Sequence, residues 1–232
     1  MSLVPHYQKV LPDSDKTKIH FRFYVVHPIG KGWNDEARRL GGLLSLQQPG
    51  WVEPMIAFPD GIVLIVDGAL AKIDNEAQLS SMLSCAITAV LQKQSYIPRH
   101  PHVGLSLDEE DQSSWLLVFA VSRNEQMLRI GIRQMYLAGY DIREAPYAWA
   151  VAQGKPVSNP VINSKHPDKE IPWYAAYAFN YISQYYKDVD YSKLKRGRTE
   201  YQQFLKELYK ADPSLPHPKA PAHARASTPP MQ

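Results

Sequence analysis

Short apolar segments in the first third of the chain predict two β-strands. Over residues 20–26 apolar and polar side chains alternate, with Phe21, Phe23 and Val25 on one face, which predicts a strand. The turn-forming triplet Pro59-Asp60-Gly61 follows further along the chain. The apolar run Ile62–Val66 comes directly after this turn, and it predicts the second strand.

The strongest helix signal in the chain begins at Asn75. Asn75 is followed three residues later by Gln78, which is the spacing of a capping box. Apolar residues then recur at intervals of three and four, so that they share one helical face: Leu79, Met82, Leu83, Ala86, Ile87, Val90 and Leu91. The pattern therefore predicts a long amphipathic helix that ends before Pro98.

Helical spacing of apolar residues also dominates the remainder of the chain. It predicts helices over residues 114–138, 144–153, 173–187 and 200–210. Gly139 is placed to cap the first of these helices at its C-terminal end. Residues 212–232 are rich in Pro, Ala, His and Ser and lack hydrophobic periodicity, which predicts a disordered tail. We therefore expect one domain over residues 1–211, followed by this tail.

The composition fits one globular domain and excludes few function classes. The chain has 232 residues, 44% of them hydrophobic, with a net charge of +3, so charge gives no reason to expect nucleic acid as a partner. The single cysteine excludes an internal disulfide. No apolar run approaches the roughly 20 residues that a transmembrane helix needs. We expect a soluble protein whose compartment the sequence leaves open: cytoplasmic if the N-terminus is native, with export as the alternative if it is not.

Four segments, in order along the chain, resemble the M48 zinc metallopeptidases. Ala57–Leu70 is similar to the family's Asn-Ala-Phe-Ala-Leu-Pro-Gly-Gly strand and the Gly-Leu-Leu after it, and Asp74–Leu79 is similar to the acidic start of its active-site helix. Arg129–Asp141 contains the family's Arg-Ile-Gly and Ala-Gly-Tyr-Asp, and Ser164–Pro167 resembles Ser-Thr-His-Pro. The resemblance covers about residues 19–173. It implies an α+β fold, a mainly helical zincin-like metallopeptidase domain with a small β-sheet.

The resemblance also implies where a zinc site belongs. Such a peptidase uses two histidines at positions i and i+4 of one helix, a glutamate after the first as general base, and a third ligand on a second helix. In the matching register, Cys85 stands at the first histidine, Ala86 at the general base and Ala89 at the second histidine. Asn124 stands at the third ligand, and Leu128 replaces an aspartate of the family.

These replacements remove the expected chemistry. An alanine neither binds a metal nor moves a proton, and one remaining thiol does not make a zinc site. The new side chains are neutral, so the two helices should pack closed around them without burying an unpaired charge. We therefore expect no zinc, no other cofactor and no catalytic residue, in a pseudopeptidase with a protein-binding, peptide-binding or scaffold role.

A residual site that uses His166 and Glu125 is kept as an alternative. His166 stands at the family's His-Pro position, although an ordinary loop residue is the main interpretation. Glu125 follows Asn124, but one residue along a helix turns a side chain by about 100°. The alternative function is an active metallopeptidase or other hydrolase with a rebuilt site that uses Cys85, Glu125, His166 or the loop histidines His100 and His102. A structural module tethered by the proline-rich tail is a third class.

The last third of the chain is unusually aromatic. Two sets of side chains recur there at helical spacing, namely Tyr174, Tyr177 and Tyr181 in one set and Phe179, Ile182 and Tyr186 in the other. Packing within the domain is the main interpretation, and a groove for a partner protein or peptide is the functional alternative. A small basic run over residues 193–198 is interpreted as a solvated connection between helices, with a phosphate or RNA contact as its alternative.

Overall fold

The computed structural model describes residues 19–27, 55–58, 60–92, 124–152 and 173–215. This part of the chain has a mixed α+β fold that is mostly helical. Its strands are β1 (Arg22–Val26), β2 (Met55–Ala57) and β3 (Ile62–Val66). Its α-helices are α1 (Asp67–Leu70), α2 (Glu76–Leu91), α3 (124–137), α4 (Ala145–Ala152), α5 (Trp173–Tyr185) and α6 (Arg198–Ala211). Two 3-10 turns cover Ile142–Glu144 and Tyr191–Lys193.

The three strands form a small sheet in the order β1-β3-β2. β1 runs parallel to β3, with Arg22 opposite Ile62, and β2 runs antiparallel to β3, with Met55 opposite Ile65. β1 and β3 confirm the two predicted strands. β2 was not predicted, because three consecutive buried residues show no alternation that could separate a strand from a loop.

Helix α2 begins as the sequence predicts, with a variation in its cap. The Asn75 side chain accepts a hydrogen bond from the backbone N–H of Gln78 at 2.9 Å. The reciprocal bond of a capping box would join the Gln78 side chain to the Asn75 N–H, but the Gln78 amide oxygen accepts from the N–H of Asp74 instead, at 2.8 Å. The next two backbone N–H groups donate to carbonyls of a distant segment, from Glu76 to Gly197 and from Ala77 to Arg196.

The predicted amphipathic character of α2 is wrong. Its polar side chains are buried as well as its apolar ones, including Ser80, Ser81, Ser84 and Thr88. Such residues are tolerated inside a protein when their hydroxyls find partners on the preceding turn. Ser84 donates to the Ser81 carbonyl at 2.9 Å and Thr88 to the Ser84 carbonyl at 2.8 Å. α2 is therefore a central helix, enclosed by other elements, rather than a surface helix.

The later helices follow the prediction closely at the ends that are described. Gly139 ends α3 in the left-handed conformation at φ 81°. Its N–H donates to the Tyr136 carbonyl and the N–H of Tyr140 donates to the Met135 carbonyl, which is a Schellman motif. α4, α5 and α6 lie within two residues of their predicted bounds. His166, the loop with His100 and His102, the first part of the predicted 114–138 helix and residues 216–232 lie outside the described residues.

The main core lies between α2, the inner face of the sheet and the helices α3 to α6. Among its fully buried side chains, Tyr201 of α6 donates its hydroxyl to the Leu70 carbonyl at 2.8 Å, which fixes α6 to the end of α1. No helix in the described ranges is long and apolar enough to span a membrane.

Candidate functional site

The candidate site lies where Gly131 of α3 closely approaches α2. Gly131 of α3 faces Cys85 of α2, and a β-carbon added to Gly131 would lie 2.8 Å from the Cys85 sulfur and 3.2 Å from the Ser84 hydroxyl oxygen. A β-carbon contact of 2.8 Å essentially never occurs in real structures, so any larger residue here would require Cys85 or a helix to shift. The close approach leaves no space between the two helices at this level.

Cys85 and Ala89 belong to a second apolar cluster, separate from the main core. They are 2% and 1% exposed, and they pack with Met127, Leu128, Trp149 and Tyr174. The rings of Trp149 and Tyr174 stack at a centroid distance of 5.2 Å and an angle of 23°. The helices α2, α3, α4 and α5 thus all contribute to one closed apolar contact, which we call the Cys85 cluster. Ala86 points to the main core instead.

The surroundings of Cys85 suppress its reactivity. Burial raises the pKa of its thiol from 9.0 to about 12, and a hydrogen bond with Ser84 opposes this shift only in part. The thiolate is the form that attacks electrophiles and binds metals. Cys85 is therefore a neutral thiol at physiological pH, in agreement with its interpretation as a core cysteine.

Asn124 and Glu125, the first two described residues of α3, lie in different environments. Asn124 is 4% exposed, and its Nδ2 has no hydrogen-bond partner among the described residues. Glu125 is on the surface side, where its carboxylate accepts from Arg129 at 3.3 Å. Cys85, Ala89, Asn124 and Leu128 are therefore all buried, whereas Glu125 is engaged away from the Cys85 cluster.

Sequence reasoning did not find the two aromatic residues that complete this cluster. Trp149 and Tyr174 come from α4 and α5, far along the chain from Cys85. The only signal was the regular spacing of Tyr174 with the tyrosines after it. The Nε1 of Trp149 is buried and has no partner in the described part of the chain, so the ring is held by stacking rather than by hydrogen bonds.

A second group of functional side chains surrounds the buried carboxylate of Glu144. Its Oε2 accepts from Asn75 Nδ2 at 3.1 Å and from Gln78 Nε2 at 2.8 Å. Its Oε1 lies 3.3 Å from Nε of Arg196, whose backbone carbonyl accepts from the Ala77 N–H in the first turn of α2. Asn75 and Gln78, at the start of α2, are thus also hydrogen-bond donors to Glu144, and this explains why the Gln78 side chain departs from the capping box.

Asp141 extends the group toward the surface. Arg143 binds it through two parallel bonds, Nε to Oδ1 at 2.9 Å and the terminal nitrogen to Oδ2 at 2.8 Å, and Arg196 Nε donates to Oδ2 at 3.0 Å. Burial acts to raise the pKa of Asp141, but the bonds from Arg143 and Arg196 outweigh it and hold this pKa below 3.8. The guanidinium of Arg143 also lies over the Tyr191 ring at 4.3 Å.

These residues form a network of hydrogen bonds and ion pairs with a structural role, and we call it the clasp: Asn75, Gln78, Asp141, Arg143, Glu144 and Arg196. Both carboxylates are paired with cations or amides, and no open coordination position or nucleophile lies among them. The interpretation of the basic run over residues 193–198 as a solvated connection is wrong for Arg196, which is held by Asp141 and Glu144. Lys195 is also paired, with Glu76 at 2.8 Å and Glu200 at 3.1 Å.

A separate acidic group lies at the C-terminal end of β3. Asp67 is 4% exposed and accepts a hydrogen bond from the backbone N–H of Gly68 at 2.6 Å. Its other oxygen lies 2.7 Å from Nδ1 of His27, which follows β1. Because β1 and β3 are parallel, their C-terminal ends lie side by side, and this places His27 next to Asp67. This pair joins the two strand ends, and among the described residues no third side chain completes a metal-binding group with it.

Metal chemistry has no visible basis in the part of the chain that the structure describes, which contains no group of three or more His, Cys, Asp or Glu side chains able to hold an ion. Comparisons of the chain with protein-family models, with curated proteins and with solved structures return no match. The assignment of function therefore rests on the residues themselves.

Proposed function

We propose that this chain is a catalytically inactive relative of the M48 zinc metallopeptidases, with a zincin-like fold and a role in binding a protein or peptide. The observation that carries the proposal is the closed contact between Cys85 and Gly131, at the level where the resemblance puts the first zinc ligand. A working site of this class needs an open position for water between its two helices.

The side chains at the aligned positions do not fit a zinc ion. Zinc in proteins takes thiolate, imidazole or carboxylate ligands, usually four in tetrahedral array. Cys85 offers a thiol whose pKa is near 12, Ala89 offers a methyl group, and Asn124 offers a neutral amide. No step of metal-assisted hydrolysis can be written with these groups.

The general base is missing as well. Ala86 stands where the resemblance puts a glutamate, and its methyl group is directed into the main core. Glu125, the nearest carboxylate along the chain on α3, is bound to Arg129 on the surface side. Without a base that reaches the same space as the metal, a bound water would not be activated.

A binding role is favoured because large apolar and aromatic side chains are exposed on the surface, whereas the positions around Cys85 are buried. Tyr185 is 63% exposed, and Leu137 is 44% exposed. Tyrosine is enriched at protein interfaces because its ring buries much area at a small cost in conformational entropy. Loss of catalysis with retention of such a surface fits a binding or scaffold module.

A proteolysis assay tests the proposal. The chain is incubated with a fluorescently labelled unfolded protein, with and without added zinc and a metal chelator. We expect no cleavage that zinc stimulates or the chelator abolishes, because no zinc ligand set exists around Cys85. Cleavage that is abolished by chelator would refute the proposal.

Two variants identify the origin of any cleavage that appears. Cys85→Ala removes the one thiol, and Glu125→Gln removes the nearest carboxylate on α3. Cleavage lost in either variant belongs to a rebuilt hydrolase site in this chain and contradicts the proposal. Cleavage that is unchanged in both variants and is removed by further purification comes from a contaminating protease and leaves the proposal standing.

A further inference from the structure

Two rows of half-buried and exposed side chains lie on α3 and α5, and a contact between Arg129 and Tyr177 joins them. On α5, Tyr177, Tyr181 and Tyr185 recur every four residues, and on α3, Arg129, Arg133 and Leu137 do the same. A spacing of four places side chains on one helical face. We call these six residues the tyrosine–arginine strip.

The tyrosine row is an ordered stack of rings. The rings of Tyr177 and Tyr181 are nearly parallel, with centroids 6.5 Å apart and an angle of 6°. Tyr181 and Tyr185 follow at 4.8 Å and 40°. Tyr186 supports the row from below, with its edge toward Tyr181 at 6.0 Å and its ring against Tyr136 at 5.4 Å. A platform fixed in this way loses little side-chain entropy when it binds a partner.

The arginine row begins at the same end as the tyrosine row. Arg129 donates its Nε to the Tyr177 hydroxyl, and its guanidinium lies over the Tyr177 ring at 5.8 Å. It also donates to Glu125 at 3.3 Å, and 53% of its side chain is exposed. A guanidinium has five N–H donors, so Arg129 keeps donors for an incoming carboxylate while Tyr177 holds it in place. Arg133 is exposed one turn further along.

The net charge of the strip favours an acidic peptide over a nucleic acid as its ligand. Two arginines face one carboxylate, Glu125, so the net charge is about one positive unit. Nucleic acid binding commonly neutralises several phosphates at once, and the affinity comes mostly from this term. A single net charge supports one acidic side chain of a peptide rather than a polyanion.

The dimensions and chemistry of the strip match an extended proline-rich segment. From Tyr177 to Tyr185 the helix advances by about 12 Å. A polyproline II helix rises about 3.1 Å per residue, so about four of its residues cover this length. Aromatic-lined surfaces with hydroxyl donors are the known binding sites for this conformation, whose ordering cost is already low.

We propose that the tyrosine–arginine strip binds an extended proline-rich peptide that carries an acidic residue, with the prolines on Tyr181 and Tyr185 and the acidic side chain on Arg129. This proposal specifies the ligand class of the binding role stated under Proposed function. It rests on that role, although it uses none of the residues of the Cys85 cluster.

The test uses the full chain and three peptides of equal length. The first is an acetylated oligoproline that ends in glutamate, the second ends in glutamine, and the third replaces the prolines by alternating glycine and serine and keeps the glutamate. Affinities are measured by fluorescence anisotropy of labelled peptides at low salt. We expect saturable binding of the first peptide, weaker binding of the second and none of the third.

Matched variants locate the site. Tyr185→Ala removes a side chain that is 63% exposed, so the fold should be retained, and it should weaken the first peptide about tenfold. Tyr185→Phe should retain the affinity, because the ring makes the contact. Arg129→Gln should abolish the difference between the first two peptides. Phe204→Ala, an exposed aromatic residue of α6 outside the strip, should change nothing.

Failure of this proposal is distinguishable from failure of the proposed loss of catalysis. Absence of saturable oligoproline binding, or equal affinities for wild type and Tyr185→Ala, would overturn the strip as a peptide site and leave the proteolysis result untouched. Binding of single-stranded oligonucleotide or anionic vesicles that depends on Tyr185 would also overturn it. Chelator-sensitive cleavage would instead refute the inactive assignment.

Discussion

Gly131 and Cys85 stand in van der Waals contact across two helices, so that any larger residue at Gly131 would require Cys85 or a helix to shift. This one relationship closes the space between α2 and α3. It also explains how a cysteine, an alanine and an asparagine can occupy the inner positions without a charged partner. Neutral groups in a closed contact avoid the free-energy cost of burying an unpaired charge.

The first prediction concerns this contact. Gly131→Ala should lower the free energy of unfolding by about 1–3 kcal/mol, because the added methyl group overpacks the contact with Cys85. Gly68→Ala is the matched control, since nothing lies within 4 Å of a β-carbon there, and it should leave stability equal or slightly higher. Urea denaturation measures both variants. Equal stability of wild type and Gly131→Ala would show that the helices are not closed at this level.

The second prediction concerns the thiol of Cys85. Because its pKa is raised from 9.0 to about 12, alkylation of the folded chain at pH 8 should be about a thousandfold slower than that of the chain in denaturant. Mass spectrometry of the alkylated protein measures both rates. Rapid stoichiometric labelling of the folded chain would mean that Cys85 is accessible and ionised.

The raised pKa of Cys85 also gives a dependence of stability on pH. The folded state holds the proton more tightly than the unfolded state, so the contribution of Cys85 is complete below pH 9 and is lost as pH rises toward 12. Stability of wild type should therefore fall more steeply than that of Cys85→Ala between pH 8 and pH 10. Parallel slopes for the two proteins would contradict the assigned shift.

The third prediction concerns the clasp around Glu144. Glu144→Ala leaves the side-chain amides of Asn75 and Gln78 without this acceptor, which should cost about 1–3 kcal/mol for each unsatisfied buried amide, whereas Arg196 keeps its bond to Asp141. Glu207→Ala on the exposed face of α6 removes a carboxylate without buried partners and is the control. Chemical denaturation compares the two. A loss for Glu144→Ala no larger than the control would show that the clasp contributes nothing to stability.

The fourth prediction concerns acid stability. Because Arg143 and Arg196 hold the pKa of Asp141 below 3.8, its carboxylate stabilises the fold above that pH and the contribution disappears as pH falls through the lowered value. Wild type should lose more stability than Asp141→Asn between pH 6 and pH 2, although the variant starts lower at pH 6. Thermal melting across this range measures the difference. An equal loss in both proteins would show that Asp141 is not held by its arginines.

The features that depend on neighbouring residues could be predicted from the sequence. The start of α2 follows from Asn75 and Gln78, three residues apart, and the end of α3 follows from Gly139, which can adopt a positive φ. β3 follows from five consecutive apolar residues after a turn. Each of these signals lies within one turn or one strand, where local physical chemistry decides the conformation.

The features that depend on distant residues could not be predicted. Glu144 binds Gln78 across 66 positions, and no pattern near either residue indicates this contact. The burial of α2 on every side depends on β2 and on helices later in the chain, and the local spacing of its apolar residues does not indicate it. In the candidate site, the register placed Cys85 and Ala89 on one face of α2. Their partners Trp149 and Tyr174 required the tertiary structure.

Zinc stoichiometry tests the central claim most directly. The full chain is equilibrated with excess zinc, passed through a desalting column to remove loosely bound metal, and analysed for zinc per chain by elemental analysis. The account predicts substoichiometric zinc that is identical in wild type and Cys85→Ala. One zinc per chain in wild type that is lost in Cys85→Ala would contradict it, because Cys85 would then be a metal ligand.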